Sequence, residues 1–480
     1  MAEIDLSVVK SYDIRGVYPQ QLDARFAYLL GRALPAVLPV DRVALGHDAR
    51  TSSPELYLAM AAGFASGGVE VGRMGLCPTE FVYYALGSGH AFDLGVMITA
   101  SHNPPEYNGF KVVSSGAEPV TGATGLRAAC ELMVGMSAVA AESAPDGPPD
   151  VAPSADYLQF AFRLAGKPEV KGARVVVDAG NGVGGLLWEL LAEPLGVDVI
   201  RLNFEPDGRF PAHPPDPSRR ENLQELVRRV TDEGADIGFC YDGDADRVVA
   251  VLPDGHLVDG SEMIVCLTES LFGADAGGRA PVFGVAQSTC RKALDHFRSK
   301  GLDPVLTPVG HSKIKQLMRS EPEMVFAGED AGHYYYRDFF CSDSALITTL
   351  HLLHLVSDGR LTPLIAGLPG PWFRPQSEPG FRFDDGGHAT DVCRRVALAA
   401  LKKGGCPAEI TCEREGRIAR RCTRSDVEQA EGVRVDYEDW WFCVRPSGTE
   451  PIARLSLEAR RERALAKRTQ WLSGLFERLR

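Results

Sequence analysis

Leu94-Gly-Val-Met-Ile-Thr-Ala-Ser-His-Asn-Pro-Pro-Glu-Tyr-Asn-Gly-Phe-Lys111 begins with an apolar run and breaks abruptly into polar residues at Thr99. The first five residues read as a short buried strand, and the break reads as a turn. Ser101 stands on that turn, followed by His102, Asn103 and Pro104. A hydroxyl so placed is expected to be exposed and reachable rather than packed. A serine capping a following helix is the plain alternative.

Working outward, the same device repeats. Short apolar runs ending in Gly or Asp alternate with longer stretches of helical period, the pattern of an α/β chain. Strands are expected at Arg42-Val-Ala-Leu, Arg174-Val-Val-Val-Asp, Ile237-Gly-Phe-Cys-Tyr, Val248-Val-Ala-Val-Leu and Pro281-Val-Phe-Gly-Val, and helices at 54–66, 221–231, 261–272 and 346–356. The segment 140–154 holds four prolines and almost no large apolar residue, so it reads as a linker. Leu252-Pro-Asp-Gly-His reads as a turn between strands, and Gly367-Leu-Pro-Gly-Pro-Trp as a hinge. The stretch 458–479 is rich in arginine but carries Leu465, Trp471, Leu472, Leu475, Phe476 and Leu479, so it reads as a packing helix with a solvated basic face.

At 480 residues the chain exceeds a single core. A formal charge of -13 argues against nonspecific nucleic-acid binding and against an anionic membrane surface. The 11 cysteines are scattered with no C-x-x-C pair, as suits reduced structural thiols in the cytoplasm. The first nine residues lack the basic start and apolar core of a signal peptide, and no apolar run reaches the length of a membrane span.

Tyr241-Asp-Gly-Asp-Ala-Asp-Arg247 follows an apolar strand. Asp242, Asp244 and Asp246 alternate, so an extended loop turns all three carboxylates to one side. Like charges so close repel unless a cation sits among them, and Mg²⁺ fits oxygen-only ligation beside a phosphate. An EF-hand fails, because its sixth and twelfth positions would be Arg247 and Pro253. A phosphatase of the haloacid-dehalogenase type, with Asp242 as nucleophile, stays open from these residues alone. Val444-Arg-Pro-Ser-Gly-Thr-Glu-Pro451 offers the Arg445 fork, the Ser447 and Thr449 hydroxyls and close backbone approach at Gly448, a set suited to phosphate.

Six motifs in order, from Ser11-Tyr-Asp-Ile-Arg-Gly16 through 99–111, 241–247, Thr307-Pro-Val-Gly-His-Ser-Lys313 and Ala327-Gly-Glu-Asp-Ala-Gly-His333 to 444–451, resemble those of the α-D-phosphohexomutases. The match is closest to the bacterial phosphomannomutase/phosphoglucomutase branch. The resemblance implies four domains around a central cleft: three similar α/β domains with mixed sheets at 1–148, 152–255 and 256–368, and a smaller α+β domain at 372–480. It implies an isomerase that interconverts hexose 6-phosphate and hexose 1-phosphate, mannose or glucose, through phosphorylated Ser101 and a hexose 1,6-bisphosphate. Ser101 and the three aspartates would hold Mg²⁺. Lys111 is implied as base, Arg247 as acid or charge stabiliser, with His102 and His333 beside them.

Substrate contacts fall by the same resemblance to Tyr12, Arg15, Gly310, His311, Glu329, Ala331, Arg445, Ser447, Gly448 and Thr449. The sugar loop usually reads Gly-Glu-x-Ser-Gly-His, so Ala331 removes a hydroxyl. Some members carry a substrate lysine near Gln287. A monomer or weak dimer is expected, with a last domain that opens to let the intermediate turn. Phosphoglucosamine mutase, or a sugar-phosphate binder without turnover, are the remaining alternatives.

Overall fold

The structure, a computed structural model, describes residues 4–89, 92–136, 151, 154–273, 281–375, 378–447 and 451–480. It divides into two compact units, Met1–Gly273 with Ala331–Pro363, and Ala274–Asp330 with Leu364–Arg480.

In the first unit, β1 (Ile14–Val17), β2 (Arg42–His47), β3 (Glu70–Leu76), β4 (Leu94–Ile98), β5 (Tyr107–Ser114) and β6 (Glu118–Pro119) form a mixed sheet of order β1-β5-β4-β2-β3, with β6 beside β5. β4 is buried at every position between parallel β2 and antiparallel β5. A strand covered on both faces needs a continuous apolar run, which is why 94–98 is legible in the sequence. A second mixed sheet has β7 (Arg174–Asp178), β8 (Asp198–Leu202), β9 (Ile237–Tyr241), β10 (Val248–Val251) and β11 (Leu257–Val258) in the order β11-β10-β9-β7-β8. The turn expected at 252–256 joins β10 to β11, closed by Leu252 N–H donating to His256 O at 2.9 Å. The helices at Ser53–Ser66, Gly260–Phe272 and Ala345–Ser357 match their expected ranges to within a residue, whereas 221–231 resolves into a short turn at Arg220–Leu223 and a helix at Gln224–Glu233.

In the second unit, β12 (Val282–Ala286) pairs in parallel with β13 (Val305–Thr307) and β14 (Met324–Gly328). In the first unit, β15 (Tyr334–Tyr336) pairs antiparallel with β16 (Ser342–Asp343). The C-terminal part of the second unit is an antiparallel sheet of β17 (Gly380–Arg382), β18 (Glu409–Arg414), β19 (Arg417–Ala419), β20 (Val433–Asp436), β21 (Trp440–Pro446) and β22 (Ile452–Ala459), in the order β17-β22-β21-β20-β18-β19. Helices Gly386–Lys403 and Glu462–Leu479 cover its apolar face.

Three expectations need correction or placement. The last helix starts at Glu462, not 458, because Ala453, Leu455, Leu457 and Ala459 point inward at period two and the ladder claims them. The hinge expected at 367–372 lies inside the second unit, where Arg460 sits 4.5 Å from the Trp372 ring and Phe373 bridges to Ala459. The linker at 140–154 falls mostly outside the described residues.

Arg434 shows why 274–330 and the C-terminal sheet form one unit. Fully buried, it grips Asp436 with two bonds of 2.8 and 3.0 Å and lies 3.8 Å from the Trp441 ring. Its Nη1 donates to Gln287 O at 2.9 Å and Thr289 O at 2.6 Å. Removing one partner of a buried ion pair strands the other, so Arg434→Ala is expected to cost about 3–5 kcal/mol in urea unfolding.

In the first unit, Glu80 opens the helix Thr79–Gly87 wholly buried, and burial pushes its carboxyl up to about 8 despite the Ser344 hydroxyl and Leu346 N–H facing it. A raised carboxyl favours folding only while protonated. Its contribution is therefore full below the ordinary value of 4.5 and is lost as pH rises toward about 8. Stability should fall across that window by up to about 1.4 kcal/mol per pH unit from this group. Glu80→Gln is expected to flatten the fall, read from urea midpoints at several pH values.

Candidate active site

β4 delivers Thr99, Ala100 and Ser101 as a buried turn. The Thr99 hydroxyl donates to Asp48 Oδ2 at 2.8 Å and accepts from Ser101 N–H at 2.8 Å. Ser101 adopts a left-handed backbone, φ 51°, which costs an L-residue on the order of 1 kcal/mol. β5 then returns, passing so close to the neighbouring backbone that a Cβ on Gly109 would lie 2.1 Å from Ile14 O. It places Lys111 opposite Met97. Contrary to expectation, Ser101 is only 2% exposed. Its Oγ is covered by partners distant in sequence, donating to Asp242 Oδ2 at 2.7 Å and accepting from Arg247 Nη2 at 2.9 Å.

The aspartate loop leaves β9 with Ala245 at φ 54°, and a Cβ on Gly243 would meet Ser101 O at 2.6 Å. That close approach lets the two loops touch. Asp242, Asp244 and Asp246 are all buried, and one oxygen from each lies within 4.8 Å of the others. Asp242 Oδ1 accepts the backbone N–H groups of Asp246 and Arg247, and its Oδ2 accepts Arg247 Nε at 3.0 Å. Asp244 Oδ2 accepts the Thr79 hydroxyl and Lys111 Nζ, each at 2.6 Å, and Asp246 Oδ2 accepts the same ammonium at 2.5 Å. The buried Oδ1 atoms of Asp244 and Asp246 have no hydrogen-bond partner among the described residues. Orphaned acceptors on clustered carboxylates are what a hard divalent cation would satisfy, so the residues fit a metal.

Charge is partitioned unevenly. Burial, then Asp246 and Asp244, push the Asp242 carboxyl up to about 7, against the pull of Arg247 and Lys111. Burial acts the same way on Asp244, but Lys111 and Thr79 outweigh it and hold that carboxyl below the usual range. Burial would lower Lys111, yet Asp244, Asp246 and Asp242 raise it overall, so it keeps its proton in this arrangement. Burial and the neighbouring Arg247 keep His102 neutral, its Nδ1 accepting from Arg247 Nη2. His333 is raised despite burial, because Asp246 and Asp343 face it, and its Nδ1 meets Asp343 Oδ2 at 2.7 Å.

Ser101, His102, Lys111, the three aspartates, Arg247 and His333 thus form one cluster in the first unit. Arg15 joins it from below the serine loop, donating to Asn103 Oδ1 at 2.6 Å and Ala100 O at 3.2 Å, while Tyr12 is half-buried on the same segment. Ala331 is exposed, two residues before His333.

The remaining candidates lie in the second unit. There Glu329 is buried and accepts Gly310 N–H at 2.8 Å, next to His311 at the start of the helix His311–Ser320. Arg445 Nη2 reaches Glu378 at 3.4 Å; burial would lower its guanidinium, but Glu378 and more distant Glu329 and Asp330 raise it. Ser447 N–H donates to Ile452 O at 2.7 Å. Gly448 and Thr449 lie outside the described residues. Gln287 turns its amide nitrogen to Thr411, at 3.1 Å from the hydroxyl.

Sequence reasoning missed Asp48, Arg50, Thr79 and Asp343. Asp48, Arg50 and Thr79 meet partners 51 to 165 residues along the chain, which leaves no local motif, and Asp343 meets His333 across a turn of ten residues.

Consecutive segments match four family models: phosphoglucomutase/phosphomannomutase α/β/α domains I (7–127), II (155–255) and III (259–368), and the C-terminal domain (396–470). The chain is 35% identical over 478 residues to the "Phosphohexose mutases" protein of Xanthomonas campestris pv. campestris (strain B100), covering 98% of this chain and 99% of that one. It is 32% identical to the phosphomannomutase/phosphoglucomutase of Pseudomonas aeruginosa, covering 96% and 93%. A crystal structure of a phosphoglucomutase/phosphomannomutase family protein from Burkholderia thailandensis superposes with a TM-score of 0.80 at 29% identity, covering 99% and 97%.

Proposed function

Since the chain belongs to the phosphoglucomutase/phosphomannomutase family, we propose that it is a phosphohexomutase, an isomerase moving a phosphoryl group between the 1- and 6-positions of a hexose, mannose or glucose. The observation that carries this reading is the Ser101 hydroxyl clasped between Asp242 and Arg247.

In the first transfer, the bond from phosphorus to Ser101 Oγ breaks and one to the free sugar hydroxyl forms. The hydroxyl's proton passes to a base, and a proton passes back from that base to the departing Ser101 oxygen, so the serine ends as a hydroxyl with no net gain or loss of protons. The resulting hexose 1,6-bisphosphate turns over, and Ser101 takes back the other phosphoryl. Bound Mg²⁺, held by Asp242, Asp244, Asp246 and phosphorylated Ser101, would neutralise phosphoryl charge. Arg247 faces the serine oxygen and keeps its charge, so it steadies the leaving oxygen rather than giving up a proton. Lys111 can serve as base only when its two carboxylate partners are engaged elsewhere. His102, neutral beside Ser101, and His333, backed by Asp343, would orient phosphate oxygens. In the first unit Tyr12, Arg15 and Ala331 would contact substrate; in the second, Glu329, Gly310 and His311 would receive sugar hydroxyls and Arg445, Ser447, Gly448 and Thr449 a phosphate.

A phosphatase using Asp242 fits the geometry less well. Both Asp242 oxygens already accept hydrogen bonds, from two backbone N–H groups, Ser101 and Arg247. The same reading divides the chain at 1–148, 152–255, 256–368 and 372–480. It has the protein act in the cytoplasm as a monomer or weak dimer, without nucleic acid or membrane. Its eleven free cysteines suit a reducing compartment. Among the described residues no helix is long and apolar enough to cross a membrane.

Initial rates on mannose 1-phosphate, glucose 1-phosphate and glucosamine 1-phosphate, with Mg²⁺ and a hexose 1,6-bisphosphate, test the substrate. Comparable rates on the first two are expected, and Ala331→Ser should change the preference among them by less than about tenfold, the worth of one hydrogen bond. Preference for the third sugar would move the assignment to amino sugars.

A further inference from the structure

Behind the Ser101 loop lies a buried arginine that the chemistry above does not use. The Arg50 side chain is wholly inaccessible, and its Nε pairs with Asp48 Oδ2 at 3.1 Å. Its Nη1 donates to Pro104 O at 2.7 Å and Tyr107 O at 2.9 Å, and its Nη2 to Ser101 O at 2.8 Å and Asn103 O at 2.7 Å. Four carbonyls of one loop therefore converge on a single guanidinium. Asp48 completes the device: its Oδ1 accepts Ser53 Oγ at 2.6 Å and Arg50 N–H at 3.0 Å, and its Oδ2 accepts Thr99 Oγ1, which in turn accepts Ser101 N–H. Ser101 is thus held at both its N–H and its C=O.

That double hold matters because Ser101 is in the left-handed region, which a serine leaves unless its surroundings over-determine it. The two tethers end on the one residue whose Oγ must point at Asp242 and Arg247. Only a planar fork with five donors can serve four carbonyls and a carboxylate together; an ammonium has three donors on one centre.

We propose that Arg50, through Asp48 and Thr99, is a positioning residue for phosphoryl transfer: it locks Ser101 in the conformation that aims its Oγ at the aspartate loop. The proposal rests on the mutase reading of this site. Arg50 touches neither substrate nor reacting atom, so its loss acts on the geometry of transfer rather than on sugar binding, and small misplacements of a reacting group are costly.

The test compares Arg50→Lys, Arg50→Gly, Thr99→Val and Ser101→Ala with the native enzyme. The readouts are kcat and KM for glucose 1-phosphate, the melting temperature, and the rate at which glucose 1,6-bisphosphate phosphorylates Ser101. Arg50→Lys is expected to lose about 100-fold in kcat and in Ser101 phosphorylation, with KM changed less than about threefold. Thr99→Val, near-isosteric, is expected to lose about tenfold in kcat. Added guanidinium should restore activity to Arg50→Gly and not to Ser101→Ala. Native kcat in Arg50→Lys and Thr99→Val, or a loss that tracks only the unfolded fraction and ignores guanidinium, overturns the positioning role. Should Arg50 variants fail to fold, Thr99→Val decides. Turnover persisting in Ser101→Ala would instead overturn the mutase reading itself.

Discussion

Ser101→Ala is expected to lower mutase kcat by about 10⁴-fold or more while leaving a folded protein. The substitution removes one oxygen and keeps the Cβ, so the left-handed backbone at this position is no more strained than before. What disappears is the atom proposed to carry the phosphoryl group, together with its bonds to Asp242 and Arg247. A hydrogen bond or two is worth about 1 kcal/mol each in stability, far below the barrier added by losing the acceptor of the transferred group. No neighbour can stand in. His102 is neutral but its Nδ1 is engaged by Arg247, and Asp242 is bonded on both oxygens. The measurement is the initial rate of glucose 6-phosphate formation, with the melting temperature as the control for folding.

Asp244→Asn is expected to lower kcat by about 10²–10³-fold and to shift the Mg²⁺ dependence to higher concentration, since the proposed metal site would lose one charged ligand of three. Asp244 carries the argument best because its two oxygens have separate duties. Oδ2 accepts Thr79 and Lys111, whereas Oδ1 is buried without a hydrogen-bond partner among the described residues. The amide keeps an acceptor for Thr79, so local structure survives, but it weakens the pull on Lys111 and on a cation. Chelation of the native enzyme should stop turnover, and Mg²⁺ should restore it. Full activity in chelator, or an Asp244→Asn enzyme with native rate and native Mg²⁺ dependence, would remove the metal from the mechanism.

Much of this site was legible because its chemistry sits in contiguous runs. The Ser101 loop and the aspartate loop each follow a fully buried strand, β4 and β9, whose unbroken apolar residues announce them. The burial of Ser101 is not legible in its own segment: the cover comes from Asp242 and Arg247, more than a hundred residues away, and no local pattern encodes that. Arg50 carries no motif in the sequence, and its four carbonyl partners exist only once the 101–107 loop folds over it. The hinge at 367–372 was read from Pro and Gly alone, which report backbone shape but not that Arg460 would settle on Trp372. Arg434 likewise gives no sign, within its strand, of the carbonyls it reaches at 287 and 289. Proline-rich composition identified 140–154 as a break, without saying what it does.

The most direct measurement is to incubate dephosphorylated protein with Mg²⁺ and glucose 1,6-bisphosphate, then map the phosphoryl group by peptide mass spectrometry. An acid-stable phosphoryl on Ser101, formed and discharged at rates that match turnover, is the expected result. An acid-labile phosphoryl on Asp242, or release of inorganic phosphate with Ser101 unmodified, would contradict it.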